Sequence, residues 1–418
     1  MVIMLVAVFI LFVVGAMAAL SIDAVTLYTA RSEAQLAADA AALAGARVLA
    51  NSGLTSAAAG PMGAEDHARR IATQVAAGNK VGGKYLNSAG TCTVGAEISV
   101  CFNDGDASFG TNPHVTVTVQ RTDLPTFFAR LWGRTQVTVG ASATAEAYNP
   151  SGANALGVAT PSPVAPICAK PWLLPNKDPS AGGAPIFDPT TGAITTTTLL
   201  GQTYPGIVRL RPRCINCTPP PPLPVTWRYY PGDPTSFPAP TKALPSCVPA
   251  LTTGYEESIA GCIQTPIKCN SPANIDTSNY ATRRMETAHA VNCLTHTEAN
   301  KGDQVDTAAA PSPPFQFLAG DDNPIPGLAG SDVTVSDSLV TVPVFDSNDT
   351  TSPISPVTVI GFVQLFLSPD GNATPTVGGN LGYVKTTVIN MVGCGSGATG
   401  TQILGNGASP VAVRLISP

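Results

Sequence analysis

The sequence predicts an α+β fold. An N-terminal transmembrane helix continues into an alanine-rich helix with a small antiparallel sheet, and a β-rich, disulfide-containing C-terminal region follows. Three observations predict it. Residues 1–22 carry no charged side chain and run into an alanine-rich segment with no breaker between them. Several later segments alternate apolar and polar residues with period two, as half-buried strands do. The ten cysteines are an even number, which in an exported chain reads as a set of disulfides.

The first element is the apolar run. A helix rises about 1.5 Å per residue, so residues 1–22 span roughly 33 Å, close to the roughly 30 Å hydrocarbon core of a bilayer. Thirteen of these residues are Leu, Ile, Val or Phe. Together they favour insertion by roughly 4 to 8 kcal/mol at most. Ala16-Met17-Ala18 resembles a signal-peptidase site. A cleaved signal also wants a basic start and a shorter apolar core, and no Lys or Arg precedes Arg31. The retained anchor is therefore the favoured reading. The missing basic flank leaves orientation open and predicts a natural start further upstream.

Composition narrows the function classes. Charged residues make up 12% of the 418 residues, against roughly 25% in ordinary soluble domains. Net charge is −5. There is no basic stripe, so nucleic acid is not an expected partner. With Pro and Gly at 39 each, short strands and turns are favoured over long soluble helices. The length allows two or three domains.

Residues 23–50 read as a helix continuing out of the bilayer. Ala38, Ala42 and Ala46 recur at four-residue steps, as do Ala37, Ala41 and Gly45, while Leu36 and Leu43 lie near one face. Such spacing suits close helix–helix packing, although alanine's helix propensity explains it equally well. Asn51-Ser52-Gly53 suits a C-terminal cap. A second helix is expected over Gly63–Ala77, supported by Glu65–Arg69 and Asp66–Arg70 at i,i+4. Strands are expected over Val94–Val100, Val115–Val119 and Gln136–Tyr148, with a short apolar helix over Leu124–Trp132 ended by Gly133.

Asn149-Pro150-Ser151-Gly152 marks a boundary. The expected division is a transmembrane segment at 1–22, an α+β module at 23–150 and a β-rich region at 151–418, with a Pro-rich insertion about 203–275. Such a stretch is either threaded with short strands and pinned by bridges or an exposed insertion. Asp276–Asn300 has helical character. Strands return at Val333–Val335, Leu339–Phe345, Val357–Leu367 and Tyr383–Val392. Val357–Leu367 is nearly continuously apolar and reads as the central buried strand.

Cys92 and Cys101 bracket one short β-like run and form the most plausible local pair. Cys214 and Cys217 make a Cys-Ile-Asn-Cys unit. For Cys168, Cys247, Cys262, Cys269, Cys293 and Cys394 no pairing is readable. His289, Cys293 and His296 share one face of a helix and, with Cys214 and Cys217, could assemble a zinc site. The disulfide reading outweighs it in an exported chain with only four histidines. Asn103-Asp104-Gly105-Asp106 and Asp321-Asp322-Asn323 lack the spaced ligands of a calcium loop and read as polar turns. Glu256 and Glu257 are adjacent and point to different faces. No nucleophile-elbow, zinc-protease, Walker or dinucleotide motif occurs in a fitting context. No catalytic residue, cofactor or metal is expected, and the chain reads as a non-enzyme.

The block from Ser21-Ile22-Asp23 through Tyr28 and Arg31 to Gln35-Leu36-Ala37-Ala38-Asp39-Ala40-Ala41-Ala42-Leu43-Ala44-Gly45-Ala46 resembles the TadE/TadG-like proteins of Tad (Flp-type) pilus assembly. Asp23, Tyr28, Arg31, Gln35, Asp39 and Leu43 stand at the family's places. Leu124–Arg130 and Val137–Ala145 are similar to its downstream region, so the resemblance covers roughly residues 1–148. The family's basic leader and a prepilin-type Gly-Glu are absent from the early apolar run. Asp332-Val333-Thr334-Val335-Ser336 is the nearest string to the metal site of the larger relatives, but it sits in an alternating strand.

The resemblance implies a pilin-like module in a bacterial inner-membrane protein whose bulk is periplasmic or extracellular. It also implies a role in pilus assembly or adhesion. Membrane lipid and other pilus-assembly proteins or related subunits are the implied partners, with homo-oligomers possible. A secreted adhesin or binding module cleaved after Ala18 is the alternative, and an exported metal-dependent enzyme ranks below it.

Overall fold

The structure is a computed structural model. It describes residues 2–57, 63–87, 90–105, 109–151, 162–208, 227–241, 244–277, 280–296, 302–306, 312–321, 323–346, 355–367, 377–378, 383–396, 400–404 and 409–416. The main elements in chain order are α1 (Val2–Asn51), α2 (Ala64–Ala77), β1 (Ile98–Phe102), β2 (His114–Pro125), β3 (Gln136–Tyr148), β4 (Trp172–Pro175), β5 (Thr203–Val208), β6 (Trp227–Pro231), α3 (Gly254–Ala260), α4 (Tyr280–Leu294), β7 (Leu339–Phe345), β8 (Val357–Leu367), β9 (Tyr383–Gly393) and β10 (Ala412–Ile416).

α1 runs unbroken through Ala18 for 50 residues. No proline or interior breaker interrupts it, and it ends where Gly53 adopts a left-handed φ of 82°, a conformation that costs glycine nothing. From Ile3 to Ile22 its large apolar side chains stand mostly exposed. A helix apolar all round is a core helix or a membrane span, and this stretch is long and apolar enough to cross a bilayer.

Beyond it, α1 and α2 cover one face of a four-stranded antiparallel sheet in the order β10–β3–β2–β1. The alternation of β2 sets the faces. Val115, Val117 and Val119 are fully buried. On the opposite face Thr116 and Thr118 pair across the strands with Thr144 and Ser142. Chain order and space part company here, because β10 joins a sheet otherwise built from residues 98–148.

The second body is a closed ring of strands. β7 pairs antiparallel with β8 and parallel with β4; β4 pairs antiparallel with β6; β6 runs parallel to β5; β5 and β8 both pair antiparallel with β9. Closure removes the open sheet edges that would otherwise seek partners. Trp172, Leu174, Trp227, Tyr229, Val342, Leu365 and Val384 line a small apolar cavity of about 20 Å³ inside. β8 is buried on both faces, as its continuous apolar run predicts. Three strands of the ring, β4 to β6, come from Pro- and Thr-rich sequence with little periodicity.

Among the described residues four bridges staple the chain: Cys92–Cys101, Cys168–Cys262, Cys247–Cys293 and Cys269–Cys394. The local pair is the one read from sequence. Among the described residues no cysteine is free. Cys214 and Cys217 lie outside the described residues.

Several local expectations are corrected. β1 begins at Ile98 rather than Val94, because Gly95 takes a left-handed φ of 87° and the bridge to Cys92 folds the preceding segment into turns. Leu124 belongs to β2, and only Ala129–Trp132 is helical, as a 3-10 turn ended by Gly133. Near Asp332 the strand is two residues long, Asp332–Val333. The arginines of α2 reach out of their helix. Arg69 donates to the Val100 carbonyl and lies over the Phe102 ring, while Arg70 pairs with Asp332. Tertiary acceptors win over the weak i,i+4 pairs.

Candidate functional site

α1 is the axis on which both bodies are mounted, and three regions of contact, two polar and one of packed small residues, hold them there. The first sits one residue past the apolar run. The Asp23 carboxylate accepts the backbone N–H groups of Phe127 (2.9 Å), Phe128 (3.0 Å) and Ala129 (2.7 Å). These are the leading N–H groups of a 3-10 turn, which have no partner inside the turn itself. A carboxylate is the natural cap there. Thr126 closes the same turn by donating its hydroxyl to the Arg134 carbonyl.

The second region is the packed face of α1. Ala34, Ala37, Ala38, Ala41, Ala42 and Ala46 are all fully buried. Gly45 marks the closest approach to α2: a Cβ there would meet Val115 Cγ1 at 3.1 Å and Ala72 Cβ at 3.3 Å. Small residues let the backbones come this near. The small-residue rows thus pack inside the chain's own module, with Leu43 half-buried against the same core. Leu36 points away and is 65% exposed, in line with Val25 and Tyr28. Gln35 donates to Asp39 at 2.7 Å and reaches the Ser142 carbonyl of β3 at 3.3 Å. Glu33 accepts the Gly82 N–H at 2.6 Å.

The third region joins the end of α1 to the barrel. Asn390 of β9 donates to the Ala50 carbonyl and to Gln364 Oε1, both at 2.6 Å. Gln364 of β8 donates to Asn51 Oδ1 at 2.9 Å. Ser56 donates to the Met391 carbonyl, and Asn149 to the carbonyls of Thr55 and Met391. Asn51, Ser56, Asn149, Gln364 and Asn390 are all buried. A polar network of this kind is costly unless its members are paired, and here they pair across the junction. A further clasp closes the four-stranded sheet: the fully buried Glu146 carboxylate of β3 accepts from Arg414 of β10 and from Asn112 at 3.1 Å.

The side chains that could have carried chemistry are placed otherwise. Cys293 is bridged to Cys247, so its sulfur is closed to a metal. His289 faces Glu256 Oε1 with Nδ1 at 2.8 Å and the Pro249 carbonyl with Nε2 at 2.9 Å. His296 lies past the end of α4 and meets Asp337. The three do not converge, and among the described residues no group of His, Cys, Asp and Glu is arranged to hold a metal.

Glu256 is a capping residue. Burial disfavours its charge, but the Thr252 N–H, His289 and the Thr252 hydroxyl outweigh burial and hold its pKa below the usual range. With Thr253 it forms a capping box on α3. Lys170 is fully buried and donates to the carbonyls of Ile259 and Gly261 at the other end of α3. Burial lowers its pKa to about 8. Both groups hold the ends of a short helix.

Residues 2–48 match the family described as Flp pilus-assembly TadE/G-like. The match coincides with α1 almost end to end. No curated protein and no solved structure matches the chain.

Sequence reasoning placed Asp23 in the family pattern without a role. It read Asn51 as part of a helix cap and Asn149 as part of a boundary, and it missed Gln364 and Asn390. Gln364 and Asn390 did carry a signal, since each interrupts an apolar strand at a position that burial forces to find a partner.

Proposed function

We propose that this protein is a membrane-anchored, non-enzymatic envelope component of Tad (Flp-type) pilus assembly or of surface adhesion. Residues 1–22 span the bacterial inner membrane, residues 23–150 form a pilin-like module, and the β-rich region 151–418 stands in the periplasm or outside the cell. The observation that carries this reading is the continuity of α1. One helix is at once the apolar exposed rod, the segment matching the pilus-assembly family and the core of the α+β module.

The continuity of the helix through Ala18 also favours retention over cleavage, since no extended segment is offered there to a peptidase. The disulfides suit an oxidising compartment. Partners of this reading are membrane lipid, other pilus-assembly proteins or related subunits, and further copies of the chain. The exposed side of α1 at Val25, Tyr28 and Leu36 is the part of the helix left for such contacts.

The test is affinity purification of the full-length protein from its own cells in mild detergent, together with carbonate extraction of membranes. Co-purification of pilus secretion components, with the full chain resisting carbonate and a chain lacking residues 1–22 released by it, is the expected result. A full-length chain that carbonate releases, or that purifies free of pilus components, overturns the proposal.

A further inference from the structure

We propose that the turn joining β2 to β3, residues 126–134, is a second membrane contact of this protein. It lies on the surface of the bilayer that α1 enters, with Phe127 at the headgroup–acyl boundary and Arg130 and Arg134 on anionic phospholipid headgroups. The inference rests on reading residues 1–22 as membrane-spanning.

Depth is the first argument. Asp23 is the first charged residue after the apolar run, and a helix advances only about 1.5 Å per residue. Asp23 therefore sits within a few ångström of the level at which the apolar surface ends. Its three hydrogen bonds to Phe127, Phe128 and Ala129 fix the turn at that same level. Thr126, buried beneath the turn, keeps it closed through the Arg134 carbonyl. The turn is rigidly held beside the helix where the helix leaves lipid.

Composition is the second argument. Phe127 is 61% exposed although its backbone is pinned. An apolar ring held out at this depth can enter the headgroup–acyl boundary, as Trp, Phe and Leu do on segments that lie in the interface. Arg130 and Arg134 are both exposed, and among the described residues neither forms an ion pair. No Asp or Glu occurs from Leu124 to Gln136, in a chain whose net charge is −5. The turn pinned by Asp23 is thus basic and free of acid in its own sequence, which suits an anionic lipid surface. Arginine stems can lie along the apolar boundary while their guanidinium groups stay among phosphates. A second copy of the chain fits less well, because a symmetric contact through Phe127 would bring the four arginines of two copies together.

The test uses the full-length protein in nanodiscs of phosphatidylethanolamine and phosphatidylglycerol. The photo-crosslinker benzoylphenylalanine replaces Ile10, Phe127 or Val248 in separate samples, and lipid adducts are read by mass spectrometry. Val248, 75% exposed in the barrel body, is the background position. Adducts at positions 10 and 127, several-fold above position 248, are expected. The yield at 127 should fall towards background in the Arg130→Glu, Arg134→Glu variant, while the amides of 127–129 keep their hydrogen-exchange protection.

Adducts at 10 without adducts at 127 overturn this inference and leave the anchor standing. Cross-links from 127 to a second copy instead of lipid also overturn it. Absence of adducts at 10 removes the anchor, and this inference with it. A yield at 127 that charge reversal leaves unchanged overturns the role of the arginines.

Discussion

Gln364 donates a 2.9 Å hydrogen bond from Nε2 to Oδ1 of Asn51, tying strand β8 of the barrel to the last residue of α1. Asn390 sits between them and holds both the Gln364 side chain and the Ala50 carbonyl. The two bodies are therefore joined through a buried polar junction.

Asn390→Leu should lower stability by about 2–3 kcal/mol, because it removes the donor to the Ala50 carbonyl and one of the donors to Gln364 Oε1, where Ser409 remains. Gln364→Leu alone should cost a similar amount. The double variant should cost less than the sum, since removing both partners leaves fewer stranded groups. Urea midpoints of the full-length protein in detergent measure all three, and additive losses would contradict a shared network.

Gly45→Val should destabilise the module by about 1–3 kcal/mol through overpacking against Val115 and Ala72. Leu36→Ser, on the exposed side of the same helix, should stay within about 0.5 kcal/mol. Thermal melts of the two variants under identical conditions separate the packed face from the free one.

Asp23→Ala should raise hydrogen-exchange rates at Phe127, Phe128 and Ala129 to those of an exposed turn while leaving β2 and β3 protected. Asp23→Asn should fall between, because a neutral amide oxygen accepts more weakly than a carboxylate. Unchanged protection in the alanine variant would show that the turn does not depend on α1.

Stability should rise with pH between about 8 and about 10. Folded Lys170 gives up its proton near 8 because burial disfavours its charge, whereas unfolded lysine keeps it to 10.5. The unfolded state then binds more protons in this window, and the slope is positive, up to about 1.4 kcal/mol per pH unit. Above 10.0 the trend should reverse. Burial raises the pKa of Tyr229 and Tyr255, so the folded state then holds protons that the unfolded chain has lost. Lys170→Met should flatten the rising limb in denaturant titrations at successive pH values and leave the fall.

Cys269→Ser with Cys394→Ser should cost more than Cys92→Ser with Cys101→Ser. The first bridge closes a separation of 125 residues and the second one of 9. Chain entropy puts the losses at about 5 and about 3 kcal/mol. Denaturation midpoints of the two paired variants give the order.

Local pattern carried much of this structure. The apolar run, the α2 segment, the alternation of Val115–Val119 and the continuous Val357–Leu367 strand are each decided by neighbours within one element, so their sequences announce them. Cys92–Cys101 was legible for the same reason. The barrel was not, because its closure depends on β4, β5 and β6, short pieces without periodicity that gain their character only from distant strands. The bridges Cys168–Cys262, Cys247–Cys293 and Cys269–Cys394 likewise depend on how remote segments meet. The small-residue rows of α1 announced a close contact but not its partner, which proved to be α2 and the sheet of the same chain. At Asp23 the sequence showed a charge at the end of an apolar run; only the fold supplied the three amides that use it.

The Arg414–Glu146 clasp has a consequence for the order of events at the ribosome. β3 is synthesised early, yet the strand that covers its edge emerges only after more than half the chain has followed. The nascent α+β module must wait with one flank open while the barrel is still being made. A chain arrested before residue 412 would carry an unprotected strand edge beside its long apolar helix.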